Sequence, residues 1–210
     1  MPTSKGYHIR WFTPIDEVDM CGHATLASAY VIFNELGYSN DSIIFDSKSG
    51  ELIVTQEGEL LCMDFPAQSI TQVDKIEHFS KIFGVKPLAI YKSMDYLVIF
   101  EDEKMVESIT FDKEALNALD LRGVIVSAPS QEYDFICRFF APKYGIDEDP
   151  VTGSAYTQLV NYWKEALSQN SFHSKQISPR GGEVICELQG NRCIIKGKGV
   201  KYLEGEIRLG

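Results

Sequence analysis

The sequence predicts an α+β protein of two pseudo-symmetric lobes, each a central helix wrapped by mostly antiparallel strands. Three observations carry that expectation. First, one stretch occurs twice. Arg10-Trp11-Phe12-Thr13-Pro14 leads to Asp16-Glu17 and then to Cys21-Gly22-His23-Ala24-Thr25, which opens a helical run to Leu36. Arg138-Phe139-Phe140-Ala141-Pro142 leads to Asp147-Glu148-Asp149 and then to Thr152-Gly153-Ser154-Ala155, which opens a helical run to Leu167. The copies align once three extra residues, about Lys143 to Gly145, are allowed for in the second. A repeated strand, acidic turn, glycine and helix implies two related structural units. Second, the first helix is apolar nearly all round, through Ala24, Leu26, Ala27, Ala29, Val31, Ile32, Phe33 and Leu36. Such a helix needs covering on every side. Third, short alternating runs separated by Ser-Gly and Glu-Gly turn signals read as strands.

In chain order, Tyr7–Thr13 reads as a strand ended by Pro14, and residues 22–36 as a helix ended by Gly37. Strands are expected at Ile43–Asp46, Glu51–Gln56 and Leu60–Phe65. Pro66 then marks the crossing between a first lobe, 1–66, and a second, 67–210. In the second, Ile76–Phe83 reads as a helix closed by Gly84, with strands at Leu88–Lys92 and Tyr96–Phe100. A small helix around Asp112–Leu119, a strand at Gly123–Ala128 and the echo strand Asp134–Ala141 follow. Asp149-Pro150 is a helix-start signal, with Asp as amino-terminal cap and Pro at the first helical position. Strands at Val184–Leu188, Cys193–Lys198 and Tyr202–Arg208 close the chain, the last of them free to return to the first lobe.

With 210 residues the chain has enough length for a substantial core. A formal net charge of −10 argues against nucleic acid or an anionic membrane as partner. No apolar run is long enough to span a bilayer, and nothing near Met1 resembles a signal peptide. Cys21, Cys62, Cys137, Cys186 and Cys193 have no metal-ligand spacing and read as reduced thiols, which places the protein in the cytoplasm. There is no nucleotide-binding glycine pattern and no metal-ligand cluster, so no cofactor is expected.

Each repeated helix begins at a glycine after an acidic turn. If the lobes are related by a pseudo-twofold axis, the two helix starts can face one cleft and offer unpaired N–H groups and two positive dipole ends to a small carboxylate. His23 is then a proton relay or a cation beside the substrate, or a histidine merely fixed at a helix start. Asp149 is a helix cap, a substrate hydrogen-bond partner, or both. Ser154 faces the ligand or solvates the first turn. Cys21 sits where a thiolate would be stabilised, but its echo carries no cysteine, so it is expected to be a small buried residue. Arg10 and Arg138 are expected to pair with turn acids. Asp16, Glu17, Asp147 and Glu148 read as solvated turn charges, Glu17 being also a conceivable base. Arg180-Gly181-Gly182 closes over a ligand or forms a tight turn.

Four ordered motifs carry a resemblance. They are Arg10-Trp-Phe-Thr-Pro with Glu17-Val-Asp-Met-Cys-Gly-His-Ala-Thr-Leu-Ala-Ser-Ala, Met63-Asp-Phe-Pro, Asp147-Glu-Asp-Pro-Val-Thr-Gly-Ser-Ala, and Ser178-Pro-Arg-Gly-Gly. From about Tyr7 onward the chain resembles the phenazine-biosynthesis PhzF-like family, which shares the two-lobed diaminopimelate-epimerase fold. The resemblance implies a cofactor-independent isomerase that moves a proton on a small carboxylated substrate. It implies that His23, Asp149 and Ser154 line the pocket and that the backbones at Gly22-His23 and Gly153-Ser154 hold the substrate. It also implies an acid/base glutamate in a segment before the Tyr7–Thr13 strand, with two strands and a helix that have no counterpart in residues 1–6. The expectation is therefore an isomerase impaired by loss of that glutamate. The alternatives are a non-catalytic small-anion binding or scaffold protein of the same fold, and a truncated gene model. An uncovered face on the first helix would favour a homodimer.

Overall fold

The computed structural model describes residues 6–12 and 17–208. The chain divides into two units, the first comprising residues up to Met63 together with those from Lys196 on, the second Asp64–Ile195.

The first unit holds β1 (Tyr7–His8), β2 (Trp11–Phe12), β3 (Glu17–Val18), α1 (Gly22–Glu35), β4 (Ser42–Ser47), β5 (Gly50–Glu57) and most of β6 (Leu60–Pro66). β1 lies parallel to β4, with Tyr7 opposite Phe45. β4, β5 and β6 form an antiparallel meander, with Ile43 opposite Val54 and Thr55 opposite Cys62. Alternate side chains Ile43, Phe45, Leu52, Val54, Leu61 and Met63 are buried, as a pleated strand with one face in a core requires. β2 and β3 form a separate ribbon pairing Phe12 with Glu17.

Two expectations for this unit are corrected. The strand expected over Tyr7–Thr13 is broken at Ile9-Arg10 into β1 and β2, because Ile9 N–H stays with β4 at Asp46 O (3.0 Å) while Trp11 turns to β3; Thr13, Pro14 and Asp16 lie outside the described residues. The strand expected at Tyr202–Arg208 carries no ladder, and Tyr202 and Ile207 are 98% and 89% exposed. An alternating pattern becomes a strand only where a neighbour accepts its N–H and C=O groups. That segment is tied instead by charge, with Lys201 Nζ 2.6 Å from Glu35 of α1.

The first helix is less enclosed than its composition demands. It buries the stripe Gly22, Thr25, Ala29 and Ile32, while Val31 is 45% and the capping residue Leu36 63% exposed.

The second unit runs through β7 (Thr71–Gln72), α2 (Ile76–Phe83), β8 (Ala89–Lys92), β9 (Tyr96–Ile99), α3 (Glu103–Ser108), α4 (Lys113–Asn117), β10 (Val124–Pro129) and β11 (Phe135–Phe140). A 3-10 turn at Pro142–Tyr144 precedes α5 (Gly153–Leu167), β12 (Ser171–Gln176), β13 (Gly182–Gln189) and β14 (Arg192–Gly197). The strand order is β13-β12-β11-β10-β9-β8-β7. β9 and β10 are parallel, as are β11 and β12; the other neighbours run antiparallel.

Both faces of this sheet are covered, so its central strands read as continuous apolar runs rather than alternating ones. Val124, Val126, Ala128, Tyr96, Val98, Ile136 and Phe140 pack with Phe79, Ile82 and Phe83 of α2, Val106 of α3 and Leu116 of α4. The opposite face takes α5. Phe135 stacks on Trp163 at 5.2 Å, and Trp163 Nε1 donates to Ser127 Oγ at 3.1 Å. β7, β12 and α3 are the elements of this unit that the sequence pattern does not reveal. The inward residues of β12 are Phe172, Ser174 and Gln176, and two polar side chains on the buried face erase the hydrophobic period.

Among the described residues no helix is long and apolar enough to cross a membrane. The five cysteines are free thiols. Burial pushes Cys137 and Cys193 up to about 12, so both stay protonated at neutral pH.

Replacing Trp163 with Ala removes the ring that covers Phe135 and the donor to Ser127. Urea unfolding followed by circular dichroism should show a loss of about 3–5 kcal/mol.

Candidate active site

Both copies of the repeat build the same local device. In the first, Arg10 donates through Nε and Nη2 to the two carboxylate oxygens of Glu17, both at 2.9 Å, and its guanidinium lies 4.8 Å above the Phe12 ring. In the second, Arg138 donates through Nε and Nη2 to Glu148 at 2.7 and 2.9 Å and lies 4.9 Å from the Phe140 ring centre. A planar fork matched to a carboxylate fixes both groups in direction as well as distance. The arginines thus pair with turn acids, as expected, and each fork ties the acidic turn to the strand before it.

Glu17 is therefore not a solvated charge. Arg10 first and Lys48 second, each by hydrogen bond, hold its carboxyl down to about 2. A carboxylate held by two cations in this way makes a poor general base at neutral pH. Asp147 is likewise engaged, 2.6 Å from Lys113 Nζ.

The helix after each fork starts without the usual protection. α1 is preceded by Cys21 and α5 by Thr152, both in extended conformation, and neither side chain caps its helix. Neither first turn contains an acidic residue. By contrast Asp102 caps α3 through Met105 N–H, Asp112 caps α4 through Glu114 and Ala115, and α2 has Glu77 in its first turn. Among the described residues, α1 and α5 are the helices that begin with neither cap nor acid. A helix start of this kind is the sort of place where negative charge is stabilised.

At the first helix start, Gly22 is buried and His23 is exposed. Thr25 returns both its N–H (3.0 Å) and its hydroxyl (2.7 Å) to Cys21 O. Cys21 is partly exposed rather than buried as expected, with Sγ 3.5 Å from His23 Nε2 and 3.8 Å from Nδ1. Its counterpart Thr152 offers a hydroxyl, so the paired-thiol arrangement is absent from the repeat.

At the second, the expectation that Asp149 caps the helix with Pro150 at its first position is corrected, because α5 begins at Gly153. The turn before it is held by other partners. Thr152 Oγ1 donates to Asp149 Oδ2 at 2.5 Å, and Asp149 N–H bonds Phe139 O at 3.0 Å. The buried Gln176 accepts from Thr152 N–H at 2.7 Å and donates to Asp149 O at 2.6 Å. With the turn satisfied from β12, Asp149 no longer serves as the cap. Gly153 and Ser154 form the first turn, where N–H groups lack intrahelical partners by construction. Ser154 Oγ accepts from Arg122 Nη2 at 2.8 Å.

The Ser178–Gly182 segment forms a tight turn, with Gly181 at φ +65°. Ser178 Oγ donates to Pro150 O at 2.8 Å and accepts from Gly181 N–H at 3.0 Å. A Cβ on Gly182 would lie 2.5 Å from Val151 Cγ2. Two motifs distant in sequence therefore shape one turn before α5. Gln176 and Arg122 are the residues that sequence reasoning misses, since neither lies in a repeat and only the pairing of strands brings them to α5.

The two-unit α+β fold is one that solved phenazine-biosynthesis proteins share and that a proline racemase resembles in fold. A probable proline racemase from Agrobacterium radiobacter superposes with a TM-score of 0.63 at 11% identity, over 97% of this chain and 72% of that one. The family model described as phenazine biosynthesis-like protein matches residues 2–205, and the chain belongs to that family. It is similar to an uncharacterized isomerase of Pseudomonas aeruginosa, 44% identical over 98% of this chain and 79% of the relative. A PhzF-family crystal structure from Enterococcus faecalis superposes with a TM-score of 0.95 at 41% identity, covering 99% of this chain and 80% of that one.

The Glu17 carboxyl should titrate near 2 by carbon-detected NMR and move up toward its ordinary 4.5 in Arg10→Met. Because its folded value is depressed, the stability it contributes is complete above 4.5 and disappears as pH falls through about 2. The stability gap between the two proteins should therefore narrow over that window. Gly182→Ala should cost about 1–3 kcal/mol in chemical denaturation through overpacking against Val151.

Proposed function

We propose that this protein is a cofactor-independent isomerase that moves a proton on a small carboxylated metabolite. The observation that carries the reading is the pair of helix starts with neither cap nor acid, each following an Arg–Glu fork. The isomerase named among the relatives supports it. Anion binding is assigned to the backbone N–H groups at Gly22-His23 in the first unit and at Gly153-Ser154 in the second, with Ser154 adding its hydroxyl. His23 and Asp149 handle the proton. One C–H bond next to the carboxylate-bearing carbon breaks, its electron pair shifts into the conjugated system, and a C–H bond forms at another carbon, so no redox partner is required. Fixed N–H donors and helix dipoles stabilise the negative charge as it develops.

The test is solvent exchange. The protein is incubated in D2O with aromatic and amino-acid carboxylates, and deuterium entry at carbon is followed by proton NMR. Exchange into at least one of them is expected, slowed on the order of 100-fold or more in His23→Ala and in Asp149→Asn, the usual scale of acid–base catalysis. Calorimetric binding of a carboxylate without any exchange would replace this reading with a small-anion binding protein. Exchange unaffected by both substitutions would remove His23 and Asp149 from the reaction.

A further inference from the structure

The Ser154 hydroxyl does not stand alone. Arg122, in the loop leading to β10, donates to Ser154 Oγ through Nη2 at 2.8 Å and grips Asp95 with Nε at 2.9 Å and Nη2 at 2.5 Å. Asp95, in the β8–β9 turn, is 0% exposed. A carboxylate that deep is held only by full hydrogen bonding and a compensating charge. Its remaining partners come from α5 itself. Gln158 Nε2 donates to Asp95 Oδ2 at 3.2 Å, and Gln158 Oε1 accepts from Asp95 N–H at 3.3 Å. Gln158 lies four residues after Ser154, on the same helix face one turn down. The guanidinium also lies 5.3 Å from the Phe139 ring centre. Its backbone position depends on Gly123, where a Cβ would meet the Phe139 ring at 2.6 Å and Phe140 O at 2.7 Å. Strand, turn and helix thus converge on one fork.

This network decides what Ser154 can do. A serine hydroxyl has one hydrogen to donate and two lone pairs to accept with. The guanidinium occupies a lone pair, so the O–H hydrogen turns away from Arg122. A hydroxyl accepting a charge-assisted bond is also polarised toward donating. Asp95 meanwhile neutralises the guanidinium, so Arg122 adds little net charge for a ligand to feel.

Resting on the isomerase reading of this site, we propose that Arg122, locked by Asp95 and Gln158, is a positioning residue that fixes Ser154 as a hydrogen-bond donor to the substrate carboxylate. Its influence passes through Ser154 and not through direct contact with the ligand.

A double-mutant cycle tests this, with benzoate and L-glutamate as carboxylate probes in calorimetry. Ser154→Ala and Arg122→Met should each weaken the better-bound probe by about tenfold or more, the scale of a hydrogen bond to a charged group. The double variant should bind no more weakly than Ser154→Ala alone, because Arg122 then has nothing left to orient. Should Arg122→Met fail to fold around an unpaired Asp95, Arg122→Lys takes its place. It keeps the charge beside Asp95 but lacks the planar fork needed to reach Ser154 as well, and the same non-additivity is expected. Additive losses would overturn the positioning role and leave the site reading intact. Ser154→Ala binding both probes as tightly as the unmodified protein, or no binding by that protein, would overturn the role of this helix start, and the proposal with it.

Discussion

The start of a helix presents N–H groups and a positive potential, and most helices answer both from within, by a capping side chain or an acid in the first turn. This chain does so at α3 and α4, where Asp102 and Asp112 accept the first N–H groups. It does not do so at α1 and α5. Leaving a helix start open costs stability, because cap substitutions are worth about 0.5–2 kcal/mol. Finding that cost at the same place in both copies of a repeat, beside capped helices in the same chain, ties the rest of the site to it.

An open helix start must still be held in place, and the surrounding hydrogen bonds do that from other elements. The Arg10–Glu17 and Arg138–Glu148 forks anchor the approach to each helix. In the second unit Gln176 from β12 takes Thr152 N–H and Asp149 O, and Ser178 takes Pro150 O. Glu17 and Glu148 are thereby spent on structure. Glu17 is the clearest case, since the two cations that orient it also strip it of basicity.

Much of this was legible in the residues. Repetition of Arg, aromatic, Pro, acidic turn and Gly located both helix starts and both forks. Where the reading failed, a polar group or an absent neighbour was responsible. β12 escaped notice because Ser174 and Gln176 occupy its buried face. Asp149-Pro150 imitated a cap because the local signal is the same whether or not a strand satisfies the turn from outside. Tyr202–Arg208 imitated a strand because alternation records a preference for a pleated surface and not the presence of a partner. Arg122 and Asp95 gave no signal at all, being an ordinary surface type and an ordinary turn residue until β9 and β10 pair.

The sequence by itself determined the duplication, the α+β class, the two repeated helices and the family, since all of these are carried by residue types at short spacing. Tertiary structure alone decided which acids are bound to arginine and which side chains attend Ser154. It also decided whether the turn before α5 needs its own cap. The physical reason is range: capping, turn and periodicity preferences act within a few residues, whereas Asp95, Arg122 and Gln158 lie 27 to 63 residues apart and meet only when strands register.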